Sequence, residues 1–165
     1  MAPIPEDEIT VSGCYSEYHN GVPRHWLVKF HPTDAGRSTS KRPRQHNDCT
    51  VVAIALACDM PYDAAYDLMA ECGRTCSRGF HMHDLEKGIA AAILESRTGK
   101  RLQWKSFPAV KGQSRMNPAK FCEDFQNGRY IVKTAKHVIA IIDGIVLDTK
   151  SPRPDRCVYG AWEVT

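Results

Sequence analysis

The chain has 165 residues, of which 42% are hydrophobic and 25% charged, and its formal net charge is +3. This length and composition predict one globular domain over residues 1–165. No apolar run reaches the roughly 18 residues of a membrane span, and the acidic start at Glu6, Asp7 and Glu8 is unlike a signal peptide. We therefore expect a cytoplasmic protein without membrane contact, whose seven cysteines are reduced.

Residues 1–44 are predicted to form an N-terminal extension. Residues 26–30 have the composition of a strand, and the Asn20–Gly21 pair is a turn signal that would pair this strand with the residues before it. The segment 36–44 is polar and basic, which predicts a loop that leads into a long apolar run.

Four helices are predicted in the middle of the chain. The apolar run Val51–Cys58 contains three alanines and follows Asn47 and Asp48, which favour a helix cap, so we expect a helix buried on all sides. The other three helices follow from apolar spacing and from the proline and glycine residues at their ends. They are expected at residues 61–72, 83–98 and 117–128.

The other predicted elements are strands, and most of them lie in the last third of the chain. Asp143–Gly144 is a tight hairpin signal between two apolar segments. Helices first and antiparallel strands last indicate an α+β domain. The expected strands are residues 102–107, 130–134, 138–142, 145–147 and 161–164.

Three polar side chains stand where these elements would bring them together. Cys49 opens the apolar helix, where unpaired N–H groups and the helix dipole favour a thiolate. His137 precedes the first strand of the Asp143–Gly144 hairpin, and Asp148 follows the second strand. In the register of a two-residue turn, His137 faces Lys150, and Asp148 is its diagonal neighbour on the same face.

This arrangement predicts a cysteine nucleophile, Cys49, with His137 as its base and Asp148 as the group that orients the imidazole. Such a nucleophile also needs hydrogen-bond donors for the oxyanion that forms during attack. Gln45 and Asn47 both offer an amide upstream of Cys49. We predict Gln45 as the oxyanion donor and Asn47 as a helix cap.

Together these residues resemble the papain-like cysteine peptidase superfamily. The resemblance is carried by Gln45-His-Asn-Asp-Cys49 with the apolar helix behind it, by the strand after His137, by Asp148, and by Trp162 near the end of the chain. The general likeness is to the small peptidases that trim double-glycine leaders from bacteriocins.

The likeness covers about residues 45–50 and 130–165. In the leader peptidases the gap from Gln to Cys is longer and Gly stands at the position of Thr50, so the superfamily fits better than that one family. The resemblance implies a papain-like fold, in which a buried nucleophile helix packs on a C-terminal antiparallel sheet. It also implies a viral or bacterial thiol peptidase, isopeptidase or amidase that acts on a peptide or protein without cofactor or metal, with acyl transfer as a further possibility.

A second group of residues could suggest a metal site. Four possible zinc ligands lie within twelve residues, but their spacing is unusual for structural zinc, so we predict no metal there. The glycine-rich loop 73–79 is expected to line the cleft opposite His137 instead. The four residues are Cys72, Cys76, His81 and His83. Cys72 itself, like Cys58 and Cys122, has apolar neighbours and is predicted to be a core thiol.

A basic stretch supports the alternative function. Residues 97–120 carry seven basic and no acidic side chains, with Trp104 and Phe107 among them. Such a composition is found on some nucleic-acid-binding surfaces, although a solvated surface is the simpler interpretation. The alternative is therefore a non-catalytic binding module that contacts an acidic partner or nucleic acid through residues 97–120.

Overall fold

The structure is a computed structural model that describes residues 3–19, 22–153 and 156–165, with side chains described outside residues 12–26. In this part of the chain seven strands form one mixed sheet, and five α-helices pack on its two faces. The α+β class predicted from the order of the elements is confirmed.

The strands are β1 (Thr10–His19), β2 (Val22–Pro32), β3 (Leu102–Ser106), β4 (Arg129–Thr134), β5 (His137–Ile142), β6 (Ile145–Asp148) and β7 (Val158–Val164). The helices are α1 (Cys49–Ala57), α2 (Tyr62–Glu71), α3 (Met82–Glu86), α4 (Ile89–Thr98) and α5 (Pro118–Asp124). Short 3-10 helices occupy Glu6–Glu8 and Arg37–Thr39.

The sheet has the strand order β1-β2-β6-β5-β4-β7-β3. The predicted pairing of residues 26–30 with the preceding segment is confirmed, since β1 and β2 are antiparallel neighbours, while the Asn20–Gly21 turn lies outside the described residues. Strand β2 then pairs with β6 in parallel, from Lys29 to Pro32. The sheet is therefore mixed rather than antiparallel throughout, and the N-terminal hairpin is part of it.

The two faces of the sheet support two cores. Along β5, Val138 and Ala140 belong to the core beneath α1 and α2, while Ile139 and Ile141 belong to the core on the other face, as the alternation of side chains in a strand requires. Helix α1 is buried from Thr50 to Ala57. Its apolar side chains are buried on all sides because the helix lies between the sheet and the other helices.

Most helices lie where they were predicted, with one exception. Instead of one helix over residues 83–98, α3 and α4 are separate, because Gly88 takes a left-handed conformation with φ of +86°. The predicted start of α5 is confirmed, since the Asn117 side chain accepts a hydrogen bond from the Lys120 N–H at 2.8 Å. Within the described ranges, no helix combines the length and apolarity that a membrane crossing requires.

The Asp143–Gly144 turn confirms the predicted hairpin. Both residues have positive φ, +49° and +74°, as the tightest hairpin turns require. The register places Ile142 opposite Ile145 and Ala140 opposite Leu147. The start of β5 and the end of β6 therefore lie side by side.

Candidate active site

Cys49 is the first residue of α1 and is half-buried, at the edge of the core beneath that helix. The first N–H groups of an α-helix have no partner within the helix, and the helix dipole is positive at this end. The sequence therefore places the thiol where a negative charge is stabilised.

The residue before the thiol fixes the start of this helix. The Asp48 carboxylate is buried, with 6% of its surface exposed. It accepts two hydrogen bonds from Arg37 Nη1, at 2.9 and 3.1 Å, and one from the Tyr62 hydroxyl at 2.7 Å.

The predicted capping of α1 by Asn47 or Asp48 is wrong. Asp48 occupies the N-cap position but makes no capping hydrogen bond, because its carboxylate oxygens are engaged by Arg37 and Tyr62. Asn47 donates from Nδ2 to the Ser77 carbonyl oxygen at 3.2 Å and has φ of +52°. A buried ion pair and a loop contact thus replace the side-chain cap.

His137 and Asp148 are in direct contact. His137 Nε2 lies 2.5 Å from Asp148 Oδ2, as the diagonal position in the hairpin predicted. The Asp148 carboxylate is buried and also accepts a hydrogen bond from the Thr149 N–H at 2.7 Å. The Asp148 carbonyl oxygen accepts another from the Thr33 N–H at 2.8 Å, which ties β2 to the end of β6.

The thiol of Cys49 and the imidazole of His137 line the same cleft, where the ring is close enough to change the pKa of the thiol. Burial raises the pKa of Cys49, but the hydrogen bond and charge of His137, together with the Val138 N–H, outweigh burial and hold the pKa below its usual 9.0. The hydrogen bond that the ring of His137 donates to Asp148, followed by its interaction with Cys49, raises the pKa of His137 to about 10, against the effect of burial. The pair therefore favours a thiolate beside an imidazolium, with Nδ1 as the ring nitrogen left for the sulfur.

The other described cysteines differ from Cys49. Burial raises the pKa of Cys58 to about 11 and that of Cys122 to about 12. Cys72 is half-buried and burial also raises its pKa, whereas Cys76 is exposed and hydrogen bonds from Ser77, Tyr66 and Gln45 lower its pKa. Of the six cysteines whose side chains are described, only Cys49 has a histidine partner.

Gln45 is not brought to the other three predicted residues. Its amide Nε2 lies 3.6 Å from Cys76 Sγ, and it does not line the cleft that contains Cys49. Asn47 does line that cleft. The sequence shows that Asn47 is only two residues from Cys49. It does not show that Asn47 has a φ of +52°, and this backbone conformation sets the direction of the chain before the helix.

The cleft has a volume of about 550 Å³ and contains Cys49, His137 and Asp148. One wall is apolar and includes Val52, Phe80 and Met82. Gly79 lines it as well, so the end of the glycine-rich loop lies at the cleft, as predicted. The lysines at this cleft are Lys133, Lys136 and Lys150.

A larger cavity, of about 960 Å³, lies on the opposite face of the sheet between β2 and α5. Its thiol is Cys122, whose pKa burial raises to about 12, and no histidine is among its described lining residues. We therefore take the smaller cleft as the candidate active site although its volume is lower, because it combines a thiol with a histidine.

Three of the four residues with zinc-ligand chemistry have partners outside that group, and one of the three is Cys76, which contacts Gln45. Cys72 Sγ lies 3.8 Å from the Ala90 carbonyl oxygen, and His83 Nδ1 lies 3.9 Å from a Glu86 carboxylate oxygen. In the described part of the chain, no three His, Cys, Asp or Glu residues form a group that could hold a metal ion.

The basic stretch 97–120 is partly neutralised by the protein itself. Arg97 pairs with Glu71 at 3.0 Å, Lys105 pairs with Glu163 at 2.8 Å, and Lys120 pairs with Asp124. The aromatic residues are also engaged, since Trp104 packs on Trp162 with ring centroids 4.3 Å apart and Phe107 packs on Phe121 at 5.8 Å. These contacts reduce the charge and ring surface that a nucleic acid would meet.

Comparisons with known proteins add no further identification. No family model, no curated protein and no solved structure matches this chain. The chemistry of the site is therefore argued from its own residues: a thiol at a helix start, an imidazole on a strand, and a buried carboxylate behind that imidazole.

Proposed function

We propose that the protein is a cytoplasmic thiol-dependent peptidase, isopeptidase or amidase of papain-like fold. The observation that carries the proposal is that Cys49, at the start of α1, lines one cleft with His137, whose Nε2 is 2.5 Å from Asp148. A nucleophile in contact with a base that is held by a third group is the arrangement that acyl transfer requires.

In the first half of the reaction, the Cys49 thiolate attacks the carbonyl carbon of the substrate. A bond forms between sulfur and carbon, and the carbonyl π electrons move to the oxygen. His137 then donates its proton to the departing amine, the carbon–nitrogen bond breaks, and a thioester remains on Cys49.

In the second half, water gives a proton to His137 and its oxygen attacks the thioester. The sulfur–carbon bond breaks, the acid leaves, and the thiolate–imidazolium pair is restored. An amine in place of water would give acyl transfer by the same steps. Asp148 accepts the hydrogen bond from Nε2 and keeps the imidazole directed at the sulfur. These steps use neither a cofactor nor a metal.

The oxyanion needs hydrogen-bond donors at the same place. The backbone N–H of Cys49, in the first turn of α1, is one donor. For the second donor we place Asn47 ahead of Gln45, because Asn47 lines the cleft whereas Gln45 contacts Cys76. Using Asn47 requires that its amide exchange the Ser77 carbonyl oxygen for the substrate oxygen.

The proposal is tested with a panel of peptide, ubiquitin-type and cell-wall substrates. We expect Cys49→Ala to abolish turnover and His137→Ala to reduce it nearly as far, since the latter removes both the proton carrier and the cation beside the thiolate. Asp148→Asn should retain partial activity, because the amide oxygen can still accept the imidazole N–H. Residues that act as a unit are not additive, so the contrast matters more than any single value.

The matched control is Cys122→Ala, which removes a thiol on the opposite face of the sheet. It should leave turnover unchanged. Full activity of Cys49→Ala in an assay to which the wild-type protein responds would rule out the enzyme, and a binding module that uses residues 97–120 would take its place.

A further inference from the structure

The cleft carries two ammonium groups beside the residues proposed to be catalytic. Lys136 immediately precedes His137, in the turn between β4 and β5, and its φ of +57° belongs to that turn. Lys150 follows Asp148 by two residues. Both lysines line the cleft and are exposed. Within the described residues, neither forms an ion pair with a carboxylate.

The other charged groups at this cleft have partners of their own. Asp48 pairs with Arg37 at 2.9 Å, and Asp148 contacts His137. Lys133 pairs with Glu86. The two cleft carboxylates are therefore engaged by Arg37 and His137, and the positive charge of Lys136 and Lys150 is available to a ligand that enters the cleft.

Unpaired lysines are common on protein surfaces, where they are simply hydrated. Two of them beside a nucleophile have a further effect, since charges of one sign along a cleft raise the local concentration of ligands of the opposite sign. The apolar wall at Val52, Phe80 and Met82 would accept an uncharged part of the same ligand.

We propose that the substrate is an acidic peptide segment, in which Asp or Glu side chains flank the bond that is cut and contact Lys136 and Lys150. This inference rests on the function proposed above and specifies the substrate class for the same site. Lys136 and Lys150 would then be specificity residues, which attract the substrate without taking part in bond breaking.

The test uses three peptides that end in a chloromethyl ketone and differ only at the flanking positions, which are Glu, Gln or Lys. Cys49 sulfur displaces chloride from such a probe and forms a stable thioether. The measured quantity is the second-order rate constant for labelling Cys49, followed by mass spectrometry and divided by the rate constant with iodoacetamide, which is small and uncharged. This division removes any change in the thiol itself.

We expect the Glu peptide to react about tenfold faster than the Lys peptide at low salt, and high salt should narrow the difference because it screens exposed charges. The double variant Lys136→Gln/Lys150→Gln should lose the preference. Lys111→Gln is the control, since Lys111 is an exposed lysine away from the cleft and should leave the preference unchanged.

The outcomes separate the two proposals. Equal labelling by all three peptides, or a preference that survives in the double variant, overturns the acidic-substrate inference alone. If no peptide labels Cys49 faster than iodoacetamide does, the cleft does not bind peptides, and the proposed function fails together with the inference that rests on it.

Discussion

The reactivity of Cys49 is set by two opposing effects. Burial disfavours the thiolate, whereas the imidazolium of His137 and the Val138 N–H favour it, and the second effect is the larger. The balance depends on His137 staying protonated, which Asp148 promotes through its hydrogen bond to Nε2. Without His137, burial would still disfavour the thiolate of Cys49, but the positive charge that offsets burial would be absent.

The pH dependence of alkylation checks this balance. Because the folded pKa of the thiol is lowered, the thiolate persists as the pH falls below 9.0, and we expect iodoacetamide to label Cys49 with an apparent pKa below that value. Cys58 and Cys122 should stay unreactive at neutral pH, as their raised pKa values of about 11 and 12 require. In His137→Ala the apparent pKa of Cys49 should rise. An unchanged value in this variant would show that the imidazole does not stabilise the thiolate.

The choice between Asn47 and Gln45 as oxyanion donor is decided by two substitutions. Asn47→Gly removes the amide while tolerating the φ of +52°, and it should lower turnover by about 10²-fold, as expected for one lost oxyanion donor. Gln45→Ala should have a much smaller effect, since Gln45 contacts Cys76 rather than the cleft. The measurement is kcat with the best substrate of the panel, and the reverse order of effects would restore Gln45 to the role predicted from the sequence.

At the scale of the elements, the hairpin β5–β6 shows what a sequence can specify. Asp143 and Gly144 favour positive φ, a two-residue turn fixes the register, and the register makes Asp148 a diagonal neighbour of His137. Every step is local. The contact between His137 and Asp148 could therefore be predicted without knowing the rest of the fold.

The elements that were not predicted depend on information that is not local. The parallel pairing of β2 with β6 joins Lys29 to Ile145, and no turn signal connects segments so far apart in the chain. The position of Gln45 depends on the path of the loop before α1, which the Arg37–Asp48 ion pair holds. The break at Gly88 was missed because apolar residues continue at helical spacing on both sides of it.

A substitution at Gly88 tests whether α3 and α4 are separate helices, because the two alternatives predict changes in stability of opposite sign. Its φ is +86°, so an alanine there is strained although its Cβ would meet no neighbour within 4 Å, and we expect Gly88→Ala to lower the free energy of unfolding by about 1–2 kcal/mol. Gly79→Ala is the matched control, because a Cβ there also meets nothing within 4 Å and its φ is not positive. The measurement is urea denaturation. Stabilisation by Gly88→Ala would instead indicate one continuous helix over residues 83–98, in which alanine is favoured over glycine.

At the scale of the whole molecule, one sheet separates two cores and is the common wall of both. Cys58 is buried in the core beneath α1 and α2, and Cys122 packs at the edge of the core beneath α5. The N-terminal hairpin contributes Val28 and Phe30 to the second core, with 2% and 6% of their surfaces exposed. Because each core loses its wall if the sheet opens, we expect both to unfold in one cooperative transition.

Pulsed alkylation in increasing urea can follow both faces in one sample, since each thiol becomes reactive only where its core opens. We expect Cys58 and Cys122 to show the same urea midpoint. Phe30→Ala should lower both midpoints together, because truncating a buried phenylalanine costs about 3–5 kcal/mol. Leu27→Ala, three residues earlier on the same strand and 61% exposed, should leave them nearly unchanged. If the Cys122 midpoint moves alone in Phe30→Ala, the two faces are independent units, and the prediction of one domain over residues 1–165 is wrong.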